Sequence, residues 1–202
     1  MSDKLTQRLN QVLPKITSDQ FLAGSGIGNE IAFHIFDYPP KEELRVRAYL
    51  ETLIANLKRR KPALRVTHIN LFDFVLEYLR SRGLLEKSLH MQREKGNEAL
   101  MKALKGVLSE EKLAAEFGKV ARPEDNDLVL ISGVGSAYPL LRSHTLLNNL
   151  HSVMGQTPLV MFYPGRYDQT SLRLFGKTGT SGGTPGAKRR HANYYRAFQL
   201  IN

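Results

Sequence analysis

The sequence holds 202 residues, enough to bury a full core without disulfides or metal but short for two independent units, so one domain spanning 1–202 is expected. Cysteine is absent, which excludes disulfide scaffolds, thiol catalysis and thiolate metal sites and fits a reducing cytoplasm. With 29 Lys and Arg against 19 Asp and Glu the net charge is +10; such a field attracts phosphate backbones and acidic proteins, although surplus cations also serve simply to solvate helix faces.

In chain order, Leu5, Leu9, Val12, Leu13 and Ile16 recur at helical spacing and predict an amphipathic helix over 3–16. This opening stretch is charged throughout and has no apolar leader core, and no later run is long enough to cross a bilayer, so a cytoplasmic protein without a membrane partner is expected. The glycine-rich stretch 24–30 reads as a turn and 31–36 as a strand, ended by Pro39 and Pro40. Prolines suit a helix start, and Glu42 and Glu43 suit its first turn. The stripe of Val46, Leu50, Leu53, Ile54 and Leu57 then predicts a helix that closes on Lys58, Arg59, Arg60 and Lys61 before Pro62.

Residues 64–69 read as a second strand, followed by helical patterns over 71–85 and 91–120, with Ser109, Glu110 and Glu111 marking a fresh start. The apolar runs 127–131 and 158–162, separated by a helix at 141–154, form a βαβ signature, and 171–175 predicts a further strand. A Gly/Ser/Thr-rich loop over 176–190 is expected to be flexible, and Tyr194, Tyr195, Phe198, Leu200 and Ile201 beyond it return apolar area to the body or to a partner. The fold class implied is α/β: a mostly parallel central sheet flanked by helices, with a helical insertion in the middle of the chain.

Chemistry is sparse. Gly133, Gly135 and Ser136 lead from a strand into a turn whose amides, with Arg142 and His144, form a candidate anion site. The dinucleotide fingerprint fails, since Tyr138 stands where a third glycine is needed, and a tight turn requiring positive φ explains the glycines without a ligand. No cofactor is therefore expected. Around Gly176 and Lys177 the phosphate-loop pattern fails at Ser171, no histidine pair has metalloprotease spacing and no serine elbow is present, so neither a metal site nor an enzyme is expected.

Two basic clusters, Lys58, Arg59, Arg60 and Lys61, and Lys188, Arg189 and Arg190, are candidate nucleic-acid contacts. Tyr194 and Tyr195 beside the second cluster could stack on bases or dock on the core. Tyr163, Arg166 and Tyr167, at the end of a strand, join Tyr194 and Tyr195 as candidate partner contacts.

Several stretches taken together resemble the BrxB family of BREX (bacteriophage exclusion) defence systems. They are 28–33 (GNEIAF) with Phe36, Asp37, Tyr38 and Pro40; 130–136 (LISGVGS); 139–144 (PLLRSH) with 146–150 (LLNNL); and 158–165 (PLVMFYPG) followed by Tyr167. The resemblance spans most of the chain. It implies a small core component encoded beside a DNA methyltransferase, the phosphatase-like PglZ and a large ATPase, in systems that methylate host DNA and exclude unmodified phage. It implies no established catalysis and offers no catalytic motif, and it points to action through protein contacts. The expectation is a non-catalytic scaffold that contacts a PglZ-like protein and other BREX components, with DNA as a further contact. Direct, sequence-independent DNA or RNA binding is the alternative, and a nucleotide-binding domain at 133–136 stands third.

Overall fold

The computed structural model describes residues 3–23, 33–169, 171–176 and 197–201. The turn expected at 24–30, most of the loop at 176–190, and Lys188, Arg189, Arg190, Tyr194 and Tyr195 lie outside the described residues. Helix α1 (Lys4–Ile16) begins where the Asp3 carboxylate accepts the Thr6 backbone N–H at 2.8 Å, and it buries Leu5, Leu9, Val12 and Ile16. After the short α2 (Asp19–Leu22), strand β1 (Phe33–Tyr38) continues past the expected end, because only at Pro39 is the N–H missing. A 3-10 turn at Pro40–Glu42 leads into α3 (Glu43–Arg60), whose buried stripe is Val46, Leu50, Leu53 and Leu57.

Strand β2 (Val66–Asn70) starts later than the apolar pattern suggested, since the Leu64 N–H turns back to the Lys61 carbonyl. The helical insertion is three helices, α4 (Leu71–Ser81), α5 (Leu85–Leu104) and α6 (Glu110–Ala121). Helix α5 is broken at Gly96, where φ is 77° and ψ 179°. The second βαβ unit comprises β3 (Leu128–Ser132), the single turn α7 (Val134–Ala137), α8 (Ser143–Met154) and β4 (Leu159–Tyr167). Two short strands complete the sheet, β5 (Leu172–Leu174) and β6 (Phe198–Gln199).

The strand order is β2-β3-β4-β1-β6, with every neighbouring pair parallel and β5 antiparallel against the end of β4. The fold is therefore α/β with a mostly parallel sheet flanked by helices, as the alternation of patterns implied. Strand β3 is buried along its whole length, and its side chains divide by parity. Leu128 and Leu130 pack with Val160 and Phe162 beneath α1 and α3, whereas Val129 and Ile131 pack with Met161 beneath α4, α6 and α8. At the far edge, β6 joins β1 through His34↔Phe198 and Ile35↔Gln199, and the Leu200 N–H donates to the Ile35 carbonyl at 2.9 Å. Among the described residues no helix is long and apolar enough to cross a membrane.

Candidate functional site

In parallel α/β sheets ligands approach the carboxyl ends of the strands, and the glycine turn after β3 lies at that end. Its space is already filled. Gly133 has φ 70°, and a Cβ there would lie 2.0 Å from Asn70 Oδ1. That oxygen accepts the backbone N–H of Phe72 at 3.0 Å and of Asp73 at 3.4 Å, so the amide that caps α4 occupies the hollow of the turn. Gly135 faces the Phe175 ring and Pro164, each 3.1 Å from where its Cβ would be.

Ser136 ends a polar row that crosses the same edge. The Tyr38 hydroxyl donates to Glu43 Oε2 at 2.6 Å, Arg47 Nε donates to Glu43 Oε1 at 2.8 Å, and the other end of that guanidinium donates to Ser136 Oγ at 2.9 Å. Burial and the adjacent Glu43 carboxylate hold the Tyr38 phenol protonated, far above its ordinary value, which fixes it as a donor. The row ties α3 to the turn after β3 and uses its groups on one another. Next to it His68 Nε2 lies 2.8 Å from Ser132 Oγ, and partial burial pushes the imidazole pKa down.

Arg142 and His144 follow at the start of α8. Arg142 is exposed at the N-cap of α8. His144 is half-buried and feels Arg142 and Glu110; burial first, then Arg142, lowers its pKa, against an opposite pull from Glu110. Of the five candidate anion-site residues, Gly133, Gly135 and Ser136 are thus packed against or bonded to Asn70, Phe175, Pro164 and Arg47, while His144 feels the charges of Arg142 and Glu110.

Among the partner candidates, Tyr163 and Tyr167 are in the core. Strand β4 does not stop at Phe162 but runs on to Tyr167, held by β5, and the period of two turns Tyr163 and Tyr167 inward and leaves only Arg166 outside. The Tyr167 hydroxyl donates to the Ala197 carbonyl at 2.6 Å. Two exposed aromatics outside those candidates, Tyr138, 51% exposed, and Phe175, 40% exposed, meet edge to face with ring centroids 6.2 Å apart. Phe175 also has φ 57°, a backbone state that a bulky side chain seldom adopts. The available signal for Tyr138 was an aromatic in a turn beside Pro139, whereas Phe175 was expected to end a strand over 171–175 that in fact stops at Leu174. Lys58, Arg59, Arg60 and Lys61 are all exposed at the end of α3, as a solvated helix terminus requires.

The family model described as BREX protein BrxB matches residues 67–200. The chain belongs to the BrxB family. Two relatives carry the same description, BREX protein BrxB. One, from Bacillus cereus (strain H3081.97), is 39% identical over 98% of this chain and 98% of its own. The other, from Escherichia coli O9:H4 (strain HS), is 39% identical over 98% of this chain and 92% of its own. No solved structure matches the chain. The segment matched by the BrxB model runs from β2 to β6 and takes in the whole helical insertion, while the relatives also cover the region of α1, β1 and α3.

This BrxB chain also carries a half-buried histidine, its ring nitrogens shielded from solvent, with a measurable consequence. His151 on α8 stacks on Phe33 at 4.7 Å between centroids, neither ring nitrogen has a hydrogen-bond partner among the described residues, and burial pushes its pKa below the ordinary 6.5. The unfolded chain therefore takes up this proton at higher pH than the folded one. Stability is fully present above 6.5 and is lost as pH falls toward the folded value, and His68 and His144 act in the same direction. Urea unfolding across a pH series should show the midpoint falling below about pH 6.5. His151→Phe preserves the stack and should make that slope shallower, His68 and His144 keeping their share; an unchanged slope would show that His151 does not stay neutral in the fold.

Proposed function

We propose that this chain is a non-catalytic core component of a BREX phage-defence complex, acting in the cytoplasm by joining protein partners, with a PglZ-like protein as the preferred one. The observation that carries this reading is the exposed Tyr138 and Phe175 pair at the carboxyl end of the sheet. Interface hot spots are enriched in tyrosine, tryptophan and arginine, and exposed Arg166 on β4 adds a cation. Positive φ at Phe175 strains the backbone by about 1 kcal/mol, and such strain concentrates where a side chain must be presented to something else. The non-catalytic part draws support from the row of Tyr38, Glu43, Arg47 and Ser136, whose polar groups are bonded to one another as a brace between α3 and the turn.

Co-expression with the PglZ-like protein of the same system, followed by size-exclusion chromatography with light scattering, tests this. A joint peak is expected for the unaltered chain and separate peaks for Tyr138→Ala combined with Arg166→Glu, at an unchanged melting temperature. Separate elution of the unaltered pair at moderate salt would remove the partner assignment.

Direct nucleic-acid binding is the second reading, favoured by Lys58, Arg59, Arg60 and Lys61, which are exposed and within ion-pair distance of no described carboxylate. Contact through all four would give log affinity for duplex DNA a slope of up to about −4 against log salt concentration. A mobility shift unaltered by Lys58→Glu with Arg60→Glu would sink it.

A further inference from the structure

Between the second half of α5 and the segment that leads into α8 lies a groove of about 610 Å³ with an apolar floor, including Leu104, Leu113 and Leu141. Three cations stand on its rim, Lys102, Lys105 and Arg142, against the single carboxylate of Glu110. None of the three is within ion-pair distance of a described carboxylate, whereas Arg8, Arg45, Arg47, Arg65, Arg80, Arg122 and Arg173 all are.

The helix dipole accounts for two of these charges only. Lys102 and Lys105 sit at the C-terminal end of α5, where cations are favoured. Arg142 is at the opposite kind of terminus, the N-cap of α8, where the dipole disfavours a cation and no acidic residue occupies the first turn. Its charge is unexplained by the fold that carries it.

We propose that this groove docks an acidic segment of a partner protein, with apolar side chains on the leucine floor and carboxylates against Lys102, Lys105 and Arg142. This rests on the partner-joining reading above and assigns it a surface and a chemistry. The occupant follows from the combination of features. Phosphate backbones need cations but no leucine floor, while a protein interface places an apolar core inside a charged rim. Pro139, the residue after exposed Tyr138, lines the groove as well, so a segment lying in it would lead on to the Tyr138 and Phe175 pair.

The test uses the chain alone and a fluorescein-labelled synthetic helical peptide of leucine and glutamate, followed by anisotropy. Arg142→Glu should weaken binding by about ten-fold or more, as should Lys102→Glu with Lys105→Glu, whereas Lys58→Glu with Arg60→Glu should change it by less than about two-fold. Arg142→Glu places an anion at the N-terminus of α8, where the dipole favours it, so loss of binding in that variant does not come from loss of fold.

Equal weakening by the α3 pair would reduce the effect to net charge and overturn the proposal. So would displacement of the peptide by an oligo-dT strand, which would make the surface a nucleic-acid site. Binding of the small sulfonate anilinonaphthalene sulfonate at the groove, with no binding of the peptide, would overturn it in favour of a free amphipathic anion. Because no second protein is present, failure here leaves the co-elution result with the PglZ-like protein standing, and the reverse holds too.

Discussion

Asp37→Ala should destabilise the fold by about 3 kcal/mol or more, read as a lower urea midpoint with an unchanged denaturant slope. Asp37 sits on β1 where three elements converge. Its Oδ1 accepts from the Arg8 guanidinium at 2.7 Å and from Gln199 Nε2 at 3.3 Å, and its Oδ2 accepts the Tyr167 backbone N–H at 3.2 Å. Arg8 donates further to the carbonyls of Asp37 at 2.7 Å and Ile201 at 3.0 Å, and its guanidinium carbon lies 4.8 Å from the Phe36 ring centre. The two side chains are only 15% and 13% exposed, so removing the carboxylate strands a cation in a poorly hydrated place. Arg8→Met keeps the aliphatic stem, and the double variant should be markedly more stable than the sum of the single effects predicts. A cost below about 1 kcal/mol for Asp37→Ala would mean that the pair behaves as a solvated surface bridge.

Gly133→Ala should have a comparable effect, about 3 kcal/mol in thermal or urea unfolding. Roughly 1 kcal/mol comes from holding alanine at positive φ, and about 1 to 2 kcal/mol from driving the Asn70 amide out of its cap. The remainder comes from backbone shifts, because at 2.0 Å neither atom can stay where it is. Asn70→Ala alone should cost about 1 kcal/mol as a lost cap, and it empties the hollow. Gly133→Ala made in that background should then cost only the strain of positive φ. If the glycine substitution costs the same with and without Asn70, the clash is not what the turn guards against.

What could be read from the sequence was whatever a periodic pattern encodes. The stripes of α1 and α3 and the apolar runs of β3 and β4 each bury one face or both along their length, so composition and spacing announce them. Strand β6 announces nothing: two residues pair because β1 offers an edge, and a pattern that short has no period. At Pro164 the local rule misleads, since proline usually marks the end of a strand, yet β5 pairs beyond it and turns Tyr163 and Tyr167 inward. The glycine turn was legible as a positive-φ turn, but its filling by Asn70 was not, because that residue comes from the end of another strand. Tyr138 and Phe175 were overlooked for the converse reason: each is a lone aromatic in a turn, and only the fold brings them together.

The position of β1 in the sheet sets the order in which the protein can be completed during synthesis. Its two sheet neighbours are β4 and β6, so a nascent chain that has made β1 must add more than a hundred residues before the first partner exists. At ordinary ribosome speeds that interval is about ten seconds. Throughout it, Phe33, Ile35 and Phe36 have no sheet to cover them, and Arg8 lacks the Ile201 carbonyl, which follows it by 193 residues. The N-terminal elements therefore emerge first and consolidate last. Stalled or prematurely released chains would present an apolar strand with both edges open, the state most prone to aggregate.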